Sequence, residues 1–592
     1  MTRPQVNGPA SGGGAACDGG GAAGGGAAGG GAAGIAAALA GAGTRLLFGV
    51  PGGGPNLDVV GAAAGAGLRF VLAHGETAAT IMAATCADLT GSPGAVVVTR
   101  GPGLASAING IAHARLDRLP LVVIADTVPA RDRDRISHQR LDQPALARPV
   151  AKAAVTAGSG QAARDAVALA LAPPAGPVVI TVDPGTADDL DPAGIPPAGE
   201  APPAGAPPAG EAPPAGQVLA PLAAALRSSR RPVVLLGTGA LAHTRAVRAA
   251  LTGSGIPVLH TYRARGIVPD QAAEAAGLVT GGTAEWPLLA AADLIIGLGV
   301  DPAEMIPAAW DHPAPTIVVT GDAAGPGEAA RYFTGATELP APVPDAIGLL
   351  ATLGHDHGWP ATAGRTARAD VRARLLRAGQ SGPGLLSPQE VVTTVRAHTP
   401  AQTIATVDAG AHMLVAMPLW EVDEPHRLLI SSGLATMGYA LPAAIAAALC
   451  VPGVPVVAFT GDGGLGMTLM EIETAVRLGL RVVVVVFNDS TLSLIRIKQR
   501  PVGHGGPEAV GYRPVSFAAA ATALGAAGAH VTDVAELASA LAAALGRDGP
   551  TVIDAQVDPA TYPAVMDLTR GEAGRRGTDP LRAAAAHHAH IR

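Results

Sequence analysis

Two acidic turns in the C-terminal third of the chain constrain the fold more than any other feature. The apolar segment 454–459 leads into a Gly-Asp-Gly-Gly turn, and a helix-like stretch then reaches a second apolar segment, 481–487, which ends at Asn-Asp. Two strands joined by a helix run parallel, so their carboxyl ends share one edge of a sheet. Ligands bind at that edge in open α/β sheets. The pattern therefore predicts a parallel sheet with Asp462 and Asp489 at a ligand site.

The residues beside these aspartates indicate what kind of ligand would fit. Glycines let backbone N–H groups approach a phosphate closely, and carboxylates bind hard cations such as Mg²⁺. Asp462 and Asp489 with their flanking glycines therefore suit a magnesium ion bridging a diphosphate. The alternative is that both are ordinary turn aspartates.

Short apolar strands and helical stretches alternate along most of the chain. A chain of 592 residues is long enough for three or four domains. The alternation predicts an α/β protein with three consecutive doubly wound parallel-sheet domains. The expected division is a disordered Gly/Ala-rich head at 1–33, an N-terminal domain at 34–190, a Pro/Ala/Gly linker at 191–216, a central domain at 217–352, a connection at 353–385, a C-terminal domain at 386–565 and a tail at 566–592.

Composition narrows the class of protein and its partners. The net charge of −7 gives no reason to propose a nucleic acid partner. The three cysteines have no disulfide or metal-site spacing, which fits a reducing cytoplasm. The most apolar window, about 438–460, contains three prolines and is interpreted as a buried helix and strand, so no membrane partner is expected.

Five further segments extend the pattern over the whole chain. They are 48–53 (Phe-Gly-Val-Pro-Gly-Gly), 70–76 (Phe-Val-Leu-Ala-His-Gly-Glu), 99–103 (Thr-Arg-Gly-Pro-Gly), 408–412 (Asp-Ala-Gly-Ala-His) and 431–442, which includes Gly-Leu-Ala-Thr-Met-Gly. In order and spacing they resemble the thiamin-diphosphate-dependent enzymes, a family that includes acetolactate synthases, pyruvate oxidases and benzoylformate decarboxylases. The first and last segments are most similar to the catalytic subunits of acetolactate synthases. The resemblance implies that the three domains are pyrimidine-binding, central Rossmann-like and diphosphate-binding.

The resemblance implies roles for individual residues. Glu76 would be the catalytic acid that activates the aminopyrimidine of the cofactor, although a glutamate at a helix N-terminus is also favoured by the helix dipole. The metal ligands would be Asp462, Asp489 and the carbonyl of Thr491. Met437 would hold the cofactor bent, and its alternative is a plain core methionine. The implied cofactor-binding positions are Pro51, Gly410, His412, Met437, Gly461, Asp462, Gly463, Gly464, Asp489 and Thr491.

The same resemblance implies a reaction and an assembly. A 2-oxo acid such as pyruvate would be decarboxylated and joined to an acceptor, as in branched-chain amino acid biosynthesis. The active site would lie between subunits of a homodimer or homotetramer, and a regulatory subunit is left open. Gln139 and Lys152 fall where substrate-bordering residues are expected, or else are surface polar residues. The flavin-binding patterns are not matched at 280–282 and 299–302, so FAD is doubtful.

Two other functions remain open from the sequence. One is a lyase, acyltransferase or decarboxylase of the same cofactor class acting on sulfoacetaldehyde or an aryl 2-oxo acid, with Arg496 and Lys498 as groups that could hold its anion. The other is a non-catalytic regulator, against which the intact Glu76, Asp462 and Asp489 argue.

Overall fold

The computed structural model contains three six-stranded sheets in which all neighbouring strands pair in parallel. It describes residues 28–157, 160–183, 214–321, 327–352, 357–379, 384–499 and 506–571. Helices connect the strands and cover both faces of each sheet. The prediction of three consecutive parallel α/β domains is confirmed.

The N-terminal sheet has the strand order β2-β1-β3-β4-β6-β5. Its strands are β1 (Leu46–Val50), β2 (Arg69–Leu72), β3 (Gly94–Val98), β4 (Leu121–Asp126), β5 (Ala153–Ala157) and β6 (Pro177–Val182). Its helices are α1 (Ala28–Gly41), α2 (Pro55–Gly65), α3 (Glu76–Thr90), α4 (Pro102–Leu116), α5 (Gln143–Ala147) and α6 (Gly160–Leu171).

The central sheet has the strand order β12-β11-β10-β7-β8-β9, which is the order of a Rossmann fold. Its strands are β7 (Pro232–Leu236), β8 (Val258–His260), β9 (Ala275–Leu278), β10 (Leu294–Leu298), β11 (Thr316–Val319) and β12 (Thr337–Leu339). Its helices are α7 (Ala215–Val218), α8 (Ala220–Ser228), α9 (Thr244–Leu251), α10 (Trp286–Ala291), α11 (Glu328–Tyr332), α12 (Val343–Leu350) and α13 (Ala363–Arg377).

The C-terminal sheet, ordered β14-β13-β15-β16-β18-β17, repeats the topology of the N-terminal sheet. Its strands are β13 (Ile404–Val407), β14 (Leu428–Ile430), β15 (Val456–Gly461), β16 (Val482–Asn488), β17 (Ala527–Val531) and β18 (Thr551–Gln556). Its helices are α14 (Pro388–Ala397), α15 (Met413–Leu419), α16 (Ala440–Cys450), α17 (Asp462–Thr468), α18 (Glu471–Arg477), α19 (Ser493–Gln499), α20 (Phe517–Ala523), α21 (Val534–Leu545) and α22 (Tyr562–Arg570).

The register of β15 against β16 brings the two acidic turns together. Every residue of β16 is buried, as expected for a Val-rich central strand covered on both faces. Gly461 at the end of β15 lies opposite Phe487 of β16. Asp462 and Asp489 therefore follow neighbouring strands at the same edge of the sheet.

The N-terminal and C-terminal domains share one hydrophobic core. Helix α3 packs against helix α16, and residues of both domains belong to the same buried cluster. That cluster is built mainly from Ala, Val, Leu and Ile, in keeping with an aromatic content of 3%. The shared core fixes the two domains of one chain against each other.

Several predicted boundaries differ from the structure. The head predicted to be disordered includes the start of α1, where Ala32 is buried against the first domain. The connection contains helix α13, which packs on β9, and α22 continues past 565 into the predicted tail. Residues 1–27, most of the linker and 572–592 lie outside the described residues. In the described part of the chain, no helix is long and apolar enough to cross a bilayer.

Candidate active site

The carboxylates of Asp462 and Asp489 both accept a hydrogen bond from the same backbone N–H group. The N–H of Thr491 donates to Asp462 Oδ2 at 3.1 Å and to Asp489 Oδ1 at 3.0 Å. Asp462 Oδ1 also accepts from the N–H of Gly463, and Asp489 Oδ2 accepts from the hydroxyl of Ser493. The shared amide brings the two acidic side chains to one place.

The pair is electrostatically unfavourable without a cation. Burial raises the pKa of Asp462 above its ordinary value. Burial and the charge of Asp462 raise the pKa of Asp489 to about 7. A carboxylate buried beside another is stabilised by a positive charge. The site therefore favours a bound cation.

The available oxygen atoms suit Mg²⁺. Two carboxylates and the carbonyl of Thr491, which also accepts from the N–H of Ser493, form a hard oxygen donor set. Among the described residues, no group of three or more His, Cys, Asp or Glu side chains forms a metal cluster.

A cavity of about 310 Å³ opens beside the pair, between the ends of β13, β15 and β16. It lies at the point where the strand order reverses, the usual ligand position in such sheets. All its lining residues come from the C-terminal domain. The lining includes nine of the ten predicted cofactor-binding positions: Gly410, His412, Met437, Gly461, Asp462, Gly463, Gly464, Asp489 and Thr491.

The ring of His412 forms one wall of this cavity. It is buried, stacks on Phe487 with 5.2 Å between ring centroids, and leaves its Nε2 without a hydrogen-bond partner among the described residues. Burial lowers its pKa to about 4, so the ring is neutral at pH 7. A Cβ added at Gly410 would lie 2.7 Å from the ring, so a larger residue there would displace the ring. An unpaired nitrogen beside a cavity fits a phosphate-containing ligand.

Met437 borders the cavity from a loop with unusual backbone geometry. Ala435 and Gly438 on either side of it have φ values of 51° and 76°, and a Cβ at Gly463 would lie 3.4 Å from Met437 Cε. Strained backbone of this kind persists only where the surroundings hold it, and it clusters at ligand sites. The methionine is half-buried rather than a core residue.

Helix α4 of the N-terminal domain holds the Met437 loop. Asp117, just after α4, accepts from the backbone N–H groups of Ser432 at 3.2 Å and Gly433 at 2.6 Å. His113 Nδ1 lies 3.0 Å from the hydroxyl of Ser431. These contacts between domains were not predicted, because nothing in the local sequence links residues about 315 positions apart.

Glu76 begins helix α3 at the carboxyl edge of the N-terminal sheet. The carboxylate of Glu76 lies beside Gly103. A Cβ added at Gly103 would come within 3.3 Å of Glu76 Oε1, so the glycine leaves room for the carboxylate. The loop before it is fixed by Glu471 of α18, which accepts from the N–H groups of His74 and Gly75. Pro51, the tenth predicted cofactor position, follows β1 at the same edge. Neither Glu76 nor Pro51 lines the cavity of its own chain.

The structure separates the two predicted substrate residues. Gln139 lies exposed on the carboxyl edge of the N-terminal sheet, with its carbonyl against Gly101. Lys152 immediately precedes β5 and therefore lies at the opposite edge, where its Nζ donates to the carbonyls of Ala172 and Pro174. The structure thus does not place Lys152 at the site, and its ammonium group binds a loop instead.

Two residues of the site carried no assigned role in the sequence. Asp408 is buried and accepts from the N–H groups of Ala409 and Tyr439 and from the hydroxyl of Thr460, so it ties its own loop to the start of α16 and to β15. Burial raises its pKa to about 6. Tyr562 of α22 lines the cavity from a segment without any motif. Asp408 begins the segment 408–412 that carries part of the family resemblance, and it directly follows a strand, but neither signal assigned it a role.

In the central domain, the segments compared with flavin-binding patterns contact other parts of the same chain. The N–H groups of Thr280 and Gly281 donate to Glu285, and Asp301 pairs with Arg118. The Gly-Thr-Gly turn after β7 begins a short 3₁₀ helix, and the N–H of Thr238 donates to Glu304 at 3.0 Å. The N–H group of Thr238 that this turn could offer to a phosphate is therefore already bonded to the side chain of Glu304.

Comparison with known proteins identifies the class to which this fold and site belong. The chain matches "Thiamine pyrophosphate enzyme, N-terminal TPP binding domain" over 30–146, the central domain of the same enzymes over 219–331 and the C-terminal TPP binding domain over 408–555. The chain belongs to the thiamine pyrophosphate enzyme family. It is a thiamin-diphosphate-dependent enzyme of the acetolactate synthase type.

Individual relatives have different activities. The chain is 30% identical to the acetolactate synthase of Bacillus subtilis, over 88% of this chain and 92% of the relative. It is also 30% identical to a 2-hydroxyacyl-CoA lyase of Oryza sativa, over 88% and 94%. The solved 4-hydroxybenzoylformate decarboxylase of Rhodococcus jostii is similar with a TM-score of 0.74 and 22% identity, over 89% of this chain and 99% of that chain, and supports the fold.

Proposed function

We propose that this enzyme decarboxylates a pyruvate-like 2-oxo acid and joins the remaining group to an acceptor, as an acetolactate synthase does. The observation that carries the proposal is the cavity whose lining combines Asp462, Asp489, His412 and Met437. Similarity to acetolactate synthases over most of the chain supports the choice of reaction.

Each residue then has a defined task. Asp462, Asp489 and the carbonyl of Thr491 would hold Mg²⁺, and His412 with the glycine turns would bind the diphosphate. When bound, thiamin diphosphate supplies the carbon nucleophile for decarboxylation and ligation. Glu76 would hold a proton at its carboxyl oxygen against the ring of the cofactor, and Met437 would keep that ring oriented.

Two subunits would complete the site. Glu76 does not line the cavity of its own chain. A second cavity, of about 510 Å³, shares the wall formed by Asp462 and Gly463 and has Met467 and Tyr512 at its rim, with side chains 60% and 50% exposed. Large apolar side chains that are exposed beside a cavity mark an interaction surface. We therefore propose a homodimer in which the N-terminal domain of one subunit brings Glu76 to the cavity of the other.

A second candidate reaction is favoured by one lining residue. Lys498 is exposed on α19 and reaches the cavity, and among the described residues it is the only Lys or Arg in the cavity lining. A cation there would attract a substrate carboxylate and would equally suit a sulfonate. A lyase or acyltransferase acting on sulfoacetaldehyde, or a decarboxylase of an aryl 2-oxo acid, is therefore the alternative.

Product analysis separates these reactions. The purified chain is incubated with pyruvate, Mg²⁺ and thiamin diphosphate, with and without FAD, and the products are identified. Acetolactate without FAD supports the proposal and a flavin-independent enzyme, whereas acetolactate only with FAD would show that the central domain holds a flavin. No turnover of pyruvate, together with thermal stabilisation by the cofactor, would reject pyruvate and direct the same assay to sulfoacetaldehyde and aryl 2-oxo acids.

A further inference from the structure

Two thiols meet where the N-terminal and C-terminal domains share their core. Cys86 lies in α3, and Cys450 is the last residue of α16, the helix packed against α3. Cys450 packs against the buried cluster that contains Cys86. Burial raises the pKa of the Cys86 thiol, and the neighbouring thiol of Cys450 raises it further. The third cysteine of the chain, Cys17, is outside the described residues.

The two thiols differ in access to solvent. Cys86 is 8% exposed, and burial raises the pKa of its thiol, so it stays protonated and unreactive toward reagents in solution. Cys450 is half-buried at the end of its helix and can be reached from solvent. A reagent would therefore react first at Cys450, with Cys86 beside it as the second thiol.

We propose that Cys86 and Cys450 are a modification site, at which a small-molecule disulfide such as oxidised glutathione produces an intrachain disulfide joining the two domains. The Cys450 thiolate attacks the reagent, a mixed disulfide forms, and one glutathione leaves as its thiolate. Cys86 then loses its proton and attacks the Cys450 sulfur, which releases the second glutathione. Two protein thiols are oxidised while one reagent disulfide is reduced to two thiols.

Proximity makes the second step feasible despite the burial of Cys86. Groups held close together in one folded chain react intramolecularly, which raises the effective concentration of the resolving thiol far above that of any reagent in solution. The crosslink would join α3, which begins at Glu76, to α16, which begins three residues after Met437. This inference concerns the packing of the two domains and does not depend on the substrate of the enzyme.

The test uses the full-length chain carrying Cys17→Ser, so that only the two thiols of interest remain. The protein is treated with oxidised glutathione, unfolded with a reagent that blocks free thiols, digested and analysed by mass spectrometry. The expected result is a peptide containing Cys86 linked to the peptide containing Cys450, with loss of both titratable thiols and a higher Tm that a reductant reverses. Cys86→Ser is expected to stop at a glutathione adduct on Cys450.

Three other results would overturn the proposal. A stable glutathione adduct on Cys450 in the chain that retains Cys86 would show that the second thiol cannot attack. A crosslink between two chains would show that the sulfurs of one chain do not meet. Retention of both free thiols after treatment would show that the site is closed to the reagent. Cys450→Ser, in which only the buried thiol remains, verifies that the reaction starts at Cys450.

Discussion

The backbone N–H of Thr491 donates to the carboxylate of Asp462 at 3.1 Å, although the two residues are 29 positions apart. Each residue belongs to a turn that follows one of two neighbouring strands, β15 and β16. This bond ties the two turns together at the edge of the sheet. It holds Asp489 close enough to Asp462 for the charge of one to raise the pKa of the other.

Asp489→Asn should stabilise the protein without cofactor and abolish its stabilisation by cofactor. At pH 8, removing one buried negative charge relieves repulsion and desolvation, a gain on the order of 1 kcal/mol. Losing an anionic oxygen from the proposed metal site should weaken magnesium-dependent cofactor binding at least ~100-fold. Thermal unfolding with and without Mg²⁺ and thiamin diphosphate measures both effects.

Asp548→Asn is the matched control, because that aspartate has a side chain 86% exposed and lies far from the cavity. The control should keep the full rise in Tm on adding cofactor and Mg²⁺. An Asp489→Asn protein that gains as much from the cofactor as the control would exclude Asp489 as a metal ligand.

The site in the C-terminal domain was predictable because its signals are local. Val-rich strands and glycine turns place Asp462 and Asp489 at one sheet edge without any knowledge of other domains. The role of Asp117 was not predictable, since it depends on how α4 packs against a loop of another domain. Lys152 was misplaced because the Ala-rich β5 was not recognised as a strand, so the edge on which Lys152 lies could not be assigned.

Glu76→Gln should separate catalysis from cofactor binding. We expect kcat/KM to fall about 10²- to 10⁴-fold, the usual range for removing a group that controls a proton. Cofactor affinity should change only a few-fold, because the proposed metal and diphosphate ligands all lie in the C-terminal domain and stay intact. Steady-state kinetics and a cofactor titration by thermal shift give the two quantities.

Glu473→Gln is the control for this change. Glu473 lies in the same region and pairs with His74, but its side chain is 35% exposed and the ion pair contributes little. Its activity should stay close to that of the parent protein. If Glu76→Gln were as active as this control, the proposed role of Glu76 would be wrong.

Lys498→Met should weaken the binding of anionic substrates. The ammonium group borders the cavity but is exposed, so a modest effect is expected, with KM for a 2-oxo acid raised about 3- to 10-fold and kcat changed less. The matched control is Arg496→Met, which removes a cation from the same helix but not from the cavity lining. Equal effects of the two substitutions would mean that only the overall charge of the helix matters.

Glu304 should make the stability of the central domain depend on pH. It is buried and accepts from the hydroxyl groups of Thr238 and Thr261, yet burial raises its pKa from 4.5 to about 7. Asp301 raises this pKa as well, and Arg263 opposes the shift. Between pH 4.5 and 7 the folded chain therefore holds more protons at this position than the unfolded chain. The free energy of unfolding falls as pH rises through that window.

Glu304→Gln removes the titrating group and should flatten this part of the pH profile. The free energy of unfolding of the variant, minus that of the parent, should increase from pH 4.5 to 7 by up to roughly 3 kcal/mol. Urea unfolding across that range measures the difference. Glu424→Gln, whose side chain is 59% exposed, should give a nearly constant difference. If the difference in the free energy of unfolding between Glu304→Gln and the parent also stayed constant with pH, Glu304 would have the same pKa in the folded and unfolded chain. Only a group whose pKa changes on folding makes the free energy of unfolding depend on pH.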